Sequence, residues 1–278
     1  MTEKINPMVV DLSHHDPAKD YNAVKADGIV GVIYKATQGS NYTDPTYVDQ
    51  QHAAKAADLR WGAYHFAEAT DVDAQVKNFM NFASPNPDEL FCLDWEDYGS
   101  NTMSADQAKQ WITQVETALG RPGQCVIYSG NTAKDLIHGN DPFFGSRRLW
   151  LAQYSTTPQP QQSWATYWLW QFTDGQVGPT PHTVDGVGPC DINSFAGSPD
   201  QLRAEWASGP SPAEPRVAQQ PQPRPSPQPQ PSGKGVVAVD IAASDGVRVN
   251  VSINGLHTFV GHVTRIDAPP TGKFDKRR

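Results

Sequence analysis

Cysteine is scarce in this sequence. Cys92, Cys125 and Cys190 are dispersed over 278 positions, each in or beside an apolar run. An odd, scattered set excludes a disulfide framework, and none of the spacings is that of a zinc site. Three buried free thiols are expected, with no metal or cofactor implied. Long apolar runs are missing too: none reaches the roughly 18 residues that a spanning helix needs, so membrane insertion is not expected. Met1 to Pro7 lacks the basic segment and apolar run of a secretory signal, which leads one to expect synthesis in a cytoplasm without signal-dependent export. The Gly-rich nucleotide fingerprint is absent after the first apolar run, where Asp11-Leu12-Ser13-His14-His15 stands instead. Positive charge is sparse in residues 1–209, which carry 13 Lys+Arg against 25 Asp+Glu, a balance of −12. So acidic a body disfavours nucleic acid as a partner.

What is present changes abruptly near Gly209. Nine prolines fall between Pro210 and Pro231, interleaved with Gln, Arg and Ser. Closely spaced Pro removes backbone donors and favours extended polyproline II, a semi-rigid spacer. Beyond it, Val236–Ile241, Val247–Ile253 and Thr258–Arg265 read as short strands, with Asn254-Gly255 as a hairpin turn. The expected division is a body at 1–209, a Pro/Gln-rich linker at 210–233 and a small β-rich tail at 234–278. Residues 210–278 carry 9 Lys+Arg against 5 Asp+Glu, and a balance of +4 suits an anionic polymer such as a cell wall.

Within the body, β-rich runs alternate with amphipathic stretches. Strands are expected at Met8–Leu12, Val30–Ala36, Arg60–Phe66, Leu90–Glu96, Gln124–Ser129, Arg148–Gln153, Tyr167–Phe172 and Pro189–Asn193. Helices are expected at Tyr21–Ala26, Pro45–Asp58, Asp71–Phe82, Ser104–Leu119 and Thr132–Ile137. In the fourth of these, Ala108, Trp111, Ile112, Val115 and Leu119 recur at helical spacing between a Ser104 cap and the Gly120 and Pro122 stop. Alternation implies an α/β fold with a parallel sheet. Eight strands suggest a closed β/α barrel with few helices in its last third; an open doubly wound sheet is the rival.

The segment Leu90-Phe91-Cys92-Leu93-Asp94-Trp95-Glu96-Asp97 concentrates the chemistry. Alternate side chains of a strand face opposite ways. Phe91, Leu93 and Trp95 therefore suit packing under helices, while Cys92, Asp94 and Glu96 face the lumen. The acids end the strand, where barrel active sites form. Two close carboxylates in a partly dry pocket cannot both ionise cheaply, so one stays protonated, as glycosidic cleavage requires. Acids are also common where strands turn into solvent, and the pair alone does not decide. Asp11 ends the first strand and Asp191 lies in the last, neighbours if the barrel closes. The four acids would form one rim, which could alternatively hold a metal. His14, His15 and His65 lie near the same rim. Aromatics at strand ends (Tyr64, Phe66, Trp95, Tyr128, Trp150, Tyr154, Trp168, Trp170) suit either a core or a sugar groove.

These residues, in this order, resemble the glycoside hydrolase family 25 lysozymes. The likeness spans about residues 8–206. It rests on Val10-Asp11-Leu12-Ser13-His14, Tyr34-Lys35-Ala36-Thr37-Gln38-Gly39, Gly62-Ala63-Tyr64-His65-Phe66, Leu93-Asp94-Trp95-Glu96, Tyr128-Ser129, Trp150-Leu151-Ala152, Trp170-Gln171-Phe172 and Asp191-Ile192-Asn193. The resemblance implies a modified TIM-like barrel and cleavage of the β-1,4 bond from N-acetylmuramic acid to N-acetylglucosamine. It implies Glu96 as general acid and Asp94 as its partner, either nucleophile or orienter of the substrate's N-acetyl group. Asp11, Tyr64 and Asp191 match pocket positions, and His14, Tyr128 and Trp170 are further candidates for substrate contact. Two positions depart: Gln38 stands where the family often has Glu, and His15 where it often has Trp.

The likeness stops before residue 210. A catalytic head, a spacer and a basic tail lead one to expect a monomeric phage endolysin acting on peptidoglycan, made in the host cytoplasm and released through a holin pore. The rivals are a non-catalytic wall-binding protein on the same barrel and another barrel glycosidase such as a chitinase.

Overall fold

The computed structural model describes residues 4–206, 248–253 and 257–262. They fall in two compact units that divide between Pro221 and Gln222. The expected linker at 210–233, the strand Val236–Ile241 and the turn Asn254-Gly255 lie outside the described residues. In the second unit Arg248–Ile253 and His257–His262 pair antiparallel, with Ile253 opposite His257.

The first unit is built on eight strands: β1 (Pro7–Leu12), β2 (Gly31–Gln38), β3 (Arg60–Phe66), β4 (Leu90–Asp94), β5 (Val126–Ser129), β6 (Arg148–Ala152), β7 (Leu169–Thr173) and β8 (Asp191–Ser194). Neighbours run in chain order, and β1 pairs with both β2 and β8, so the sheet closes into a barrel. The doubly wound alternative is thereby excluded. The helices α1 (Tyr21–Ala26), α2 (Tyr47–Ala56), α3 (Val72–Phe82), α4 (Ala105–Leu119), α5 (Asn131–Leu136) and α6 (Pro142–Gly145) all precede β6; among the described residues only α7 (Pro199–Glu205) follows the barrel.

Local sequence explains the best-defined helix. The Ser104 hydroxyl accepts from the Gln107 amide and the Gln107 side chain returns to the Ser104 amide, a reciprocal cap. Gly120 ends the helix at φ 63°, the left-handed conformation that glycine adopts without a Cβ penalty. Between the caps, Ala108, Trp111, Ile112 and Val115 are buried.

The strands divide two cores by strict alternation. Val10, Val32, Tyr34, Phe91, Leu93, Trp95, Ile127, Leu149, Leu151, Trp170 and Phe172 face outward under the helices. Val9, Ile33, Leu90, Cys92, Val126, Tyr128, Trp150 and Leu169 fill the interior. The three cysteines are free and buried. Trp206 closes the bottom of the barrel. Its ring occupies the space where a Cβ on Gly31 would stand, and its indole N–H donates to the Trp61 carbonyl at 2.8 Å.

One expectation needs correction. Neighbours from β1 through β7 are parallel, but β8 runs antiparallel to both β7 and β1. No helix returns the chain after β7. The connection instead folds as a small ribbon, Thr183–Val184 against Gly188–Pro189, and β8 starts at the end where β7 stopped. A parallel return needs a crossover of a dozen or more residues, usually a helix. The reversal places Asp191, the first residue of β8, at the rim where the other strands end, directly opposite Asp11.

Candidate active site

At that rim a cavity of about 270 Å³ is lined by Asp11, Tyr64, Asp94, Glu96, Tyr128, Trp150, Tyr154, Gln171, Asp174 and Asp191. Six of the eight residues singled out in the sequence therefore meet in one place. The strand ends supply them because inward positions alternate with outward ones. β4 delivers Asp94 above Cys92, and the chain leaves the strand so that Glu96 follows one residue after buried Trp95.

Trp95 anchors that departure. Its indole N–H donates to the Met103 carbonyl at 2.7 Å, its amide to Tyr128 O at 2.9 Å, and its carbonyl accepts from Ser129 Oγ at 2.7 Å. The ring stacks on Phe144 with centroids 5.4 Å apart. Beyond Glu96, the Asp97 carboxylate accepts from the Gly99 amide and the Thr102 hydroxyl and closes a turn. Glu96 is thus held between a buried ring and a closed loop.

Asp11 is the most heavily bonded of the acids. It accepts from Gln171 Nε2 at 2.9 and 3.1 Å and from Asn193 Nδ2 at 2.7 Å. The Gln171 carbonyl accepts from Tyr128 and Tyr154, both at 2.9 Å, and Trp150 donates to Asn193 Oδ1 at 2.5 Å. Burial pushes Asp11 from an ordinary 3.8 up to about 7, against the hydrogen bonds that favour its charge. Asp191, desolvated and facing Asp11, rises to about 9. Asp94 and Glu96 are both raised by burial, and Asp94 further by the neighbouring Glu96. Asp94 Oδ1 is buried with no hydrogen-bond partner among the described residues. A rim of this kind holds protons at neutral pH, and the −12 formal charge of the body overstates its negative charge.

Two candidates lie elsewhere. Trp170 is fully buried on the outer face, donating to the Gln153 carbonyl at 2.7 Å and packing on Tyr167 and Phe172. In Trp170-Gln171-Phe172 the inward residue is Gln171. His14 is half-buried outside the lining, with its Nδ1 2.8 Å from buried Asp44. His65 is buried between Thr37 and Gln75 and stacks on Trp111. Gln171 and Asp174 line the cavity without having been singled out, and Trp150 and Tyr154, named only among the strand-end aromatics, line it too. The alternation that put Asp94 inside would have found Gln171, once Trp170 was assigned outward. Asp174 follows its strand and has no such signal. Among the described residues no group of three or more His, Cys, Asp or Glu has metal-holding geometry.

The family model for glycosyl hydrolases family 25 matches residues 10–180. The chain belongs to glycosyl hydrolases family 25. The matched span ends before β8, so the place of Asp191 in the pocket rests on barrel closure. The autolytic lysozyme of Clostridium acetobutylicum is 30% identical over 191 residues, 67% of this chain and 55% of its own. This chain thus spans little more than half of that relative. Lysozyme M1 of Streptomyces globisporus is 28% identical over 211 residues, covering 70% of this chain and 69% of its own. Among solved structures, the bacterial lysozyme from Streptomyces coelicolor superposes with a TM-score of 0.62 at 25% identity, covering 73% of this chain and 98% of that one. The family 25 lysozyme from Aspergillus fumigatus gives 0.61 at 26% identity, covering 73% and 100%.

Proposed function

We propose that the family 25 barrel hydrolyses peptidoglycan as an N-acetylmuramidase, breaking the β-1,4 bond that follows N-acetylmuramic acid. The observation that carries this is the Asp94–Glu96 pair at the mouth of an aromatic-lined pocket, two hydrogen-bonded carboxyls both raised by burial, Asp94 further by Glu96. Burial and the shared hydrogen bond favour the state in which the pair holds one proton. Glu96 gives a proton to the glycosidic oxygen, the C1–O bond breaks, and its electron pair goes to the leaving sugar. The pair is then fully ionised, an arrangement that burial of both carboxyls disfavours. The positive charge developing at C1 offsets it, so the site stabilises the transition state more than the ground state. Asp94, with an unpartnered oxygen, faces that charge. Water then adds hydroxide to C1 and returns the proton to Glu96. Asp11 and Asp191 keep the adjoining wall polar, and Tyr64, Tyr128 and Tyr154 bring rings and hydroxyls to the sugar's edges.

The test is product analysis on purified peptidoglycan. New muramic acid reducing ends support the reading. Free amines without reducing ends would assign a peptidase or amidase, and turnover of chitin without muropeptide release would assign a chitinase.

The setting is part of the same proposal. Head, Pro-rich spacer and basic tail fit a monomeric endolysin that is made in the host cytoplasm, crosses the membrane through a holin pore and holds the wall by its tail. A chain ending at residue 209 is expected to cleave soluble muropeptides as before but to pellet less with walls. Unchanged pelleting would remove the tail's role.

A further inference from the structure

Lys35 stands on the inward face of β2, above Ile33, its register partner in β3 being the pocket residue Tyr64. Its Nζ lies 4.8 Å from the Phe66 ring centroid and 5.6 Å from that of Tyr42. Phe66 is in turn the register partner of Asp94, so the ammonium sits over the residue beside the acid pair. The only hydrogen bond drawn from Nζ among the described residues goes to a neutral group, Gln38 Oε1, at 2.7 Å. Gln38 Nε2 then donates to Glu68 Oε1 at 2.8 Å, which holds that carboxylate one side chain away. No carboxylate of the described residues comes within salt-bridge distance of Lys35. The ammonium is half-buried and tied to an amide, and a desolvated charge acts over longer range than an exposed one.

We propose that Lys35 is a positioning residue for the Asp94–Glu96 pair, and that the neutral Gln38, by taking the place of a carboxylate in contact with it, sets the pH range in which the pair keeps a single proton. This rests on the muramidase reading of the pair. The groups that share the field are Glu68 and Asp44 around Lys35, Asp97 beside Glu96, and Asp11 across the pocket. All are acidic, so Lys35 is the one opposing charge among them. The Lys35 ammonium itself is opposed by burial and supported by Asp94, Asp44, Glu96 and Glu68, which fixes the direction of the coupling. Removing its charge makes it harder to ionise either acid, and both limbs of the activity profile move to higher pH. Gln38→Glu neutralises the ammonium in place and acts the same way. Lys35→Arg restores it.

The experiment is NMR titration of the side-chain carboxyl carbons of Asp94 and Glu96 in the full chain, alongside kcat/KM against pH on peptidoglycan. Midpoints are expected about one pH unit higher in Lys35→Met and Gln38→Glu, and unmoved in Lys35→Arg. Gln38→Glu leaves the lysine stem and its ring contacts in place, and covers the case in which Lys35→Met does not fold. Unchanged midpoints in Gln38→Glu overturn the proposal. The titration needs no turnover, so displaced midpoints in a protein that cleaves nothing would sustain this inference while refuting the muramidase.

Discussion

Asp11→Asn offers a stability test of the buried acid rim. Asp11 is 8% exposed and rises from 3.8 to about 7 on folding. The folded chain therefore binds a proton there more tightly than the unfolded chain. The stabilisation is fully present below pH 3.8 and is lost as pH rises through about 7. At 1.36 kcal/mol per pH unit, the part lost between pH 5 and 8 is about 3 kcal/mol. In a domain of this size that is a fall in Tm of roughly 8 °C. Asn cannot titrate, but its amide meets the Gln171 and Asn193 donors, and one mismatched contact costs about 1–3 kcal/mol at every pH. Asp11→Asn is thus expected to be less stable than wild type at pH 5, with the gap narrowing or reversing by pH 8. Urea or thermal unfolding at several pH values measures it. Parallel wild-type and variant curves would refute the claim that Asp11 is a buried, proton-binding member of the rim.

Gln171→Leu removes both bonds to Asp11 and leaves the Tyr128 and Tyr154 hydroxyls without their shared acceptor. A loss of about 2–4 kcal/mol is expected in urea unfolding, with kcat reduced because the pocket wall loosens. Trp206→Ala empties the barrel floor, where the ring is 1% exposed. It should cost about 3–5 kcal/mol without altering the pH profile of activity.

The barrel was legible because its strands are periodic and its helices capped. Arg60–Phe66 and Tyr21–Ala26 lie where the sequence places them, and Ser104 and Gly120 bound their helix as their chemistry requires. The parity of Leu90 to Glu96 sorted Phe91, Leu93 and Trp95 outward and the acids inward. The reversed direction of β8 was not legible, because strand patterns carry no direction and only the helix-free connection after β7 hints at it. Short elements escaped for a similar reason: Tyr42–Thr43, which pairs with the end of β2, and α6 are too brief to show a period. At the site, Trp170 illustrates how an aromatic at a strand end reads equally well as core or as sugar platform. Only the facing of its neighbours decides. Gln171, an ordinary amide in the sequence, becomes the hub of the pocket because three side chains, Asp11, Tyr128 and Tyr154, converge on it.

The central claim is that Glu96 supplies the proton in glycosidic cleavage. The direct measurement is release of muramic acid reducing ends by wild type and Glu96→Gln, with matching circular dichroism to show that both are folded. The account predicts rapid release by wild type and a rate lower by about two to four orders of magnitude in the variant, since glutamine keeps the shape but has no proton to give. A folded Glu96→Gln protein that cleaves at nearly the wild-type rate would contradict it.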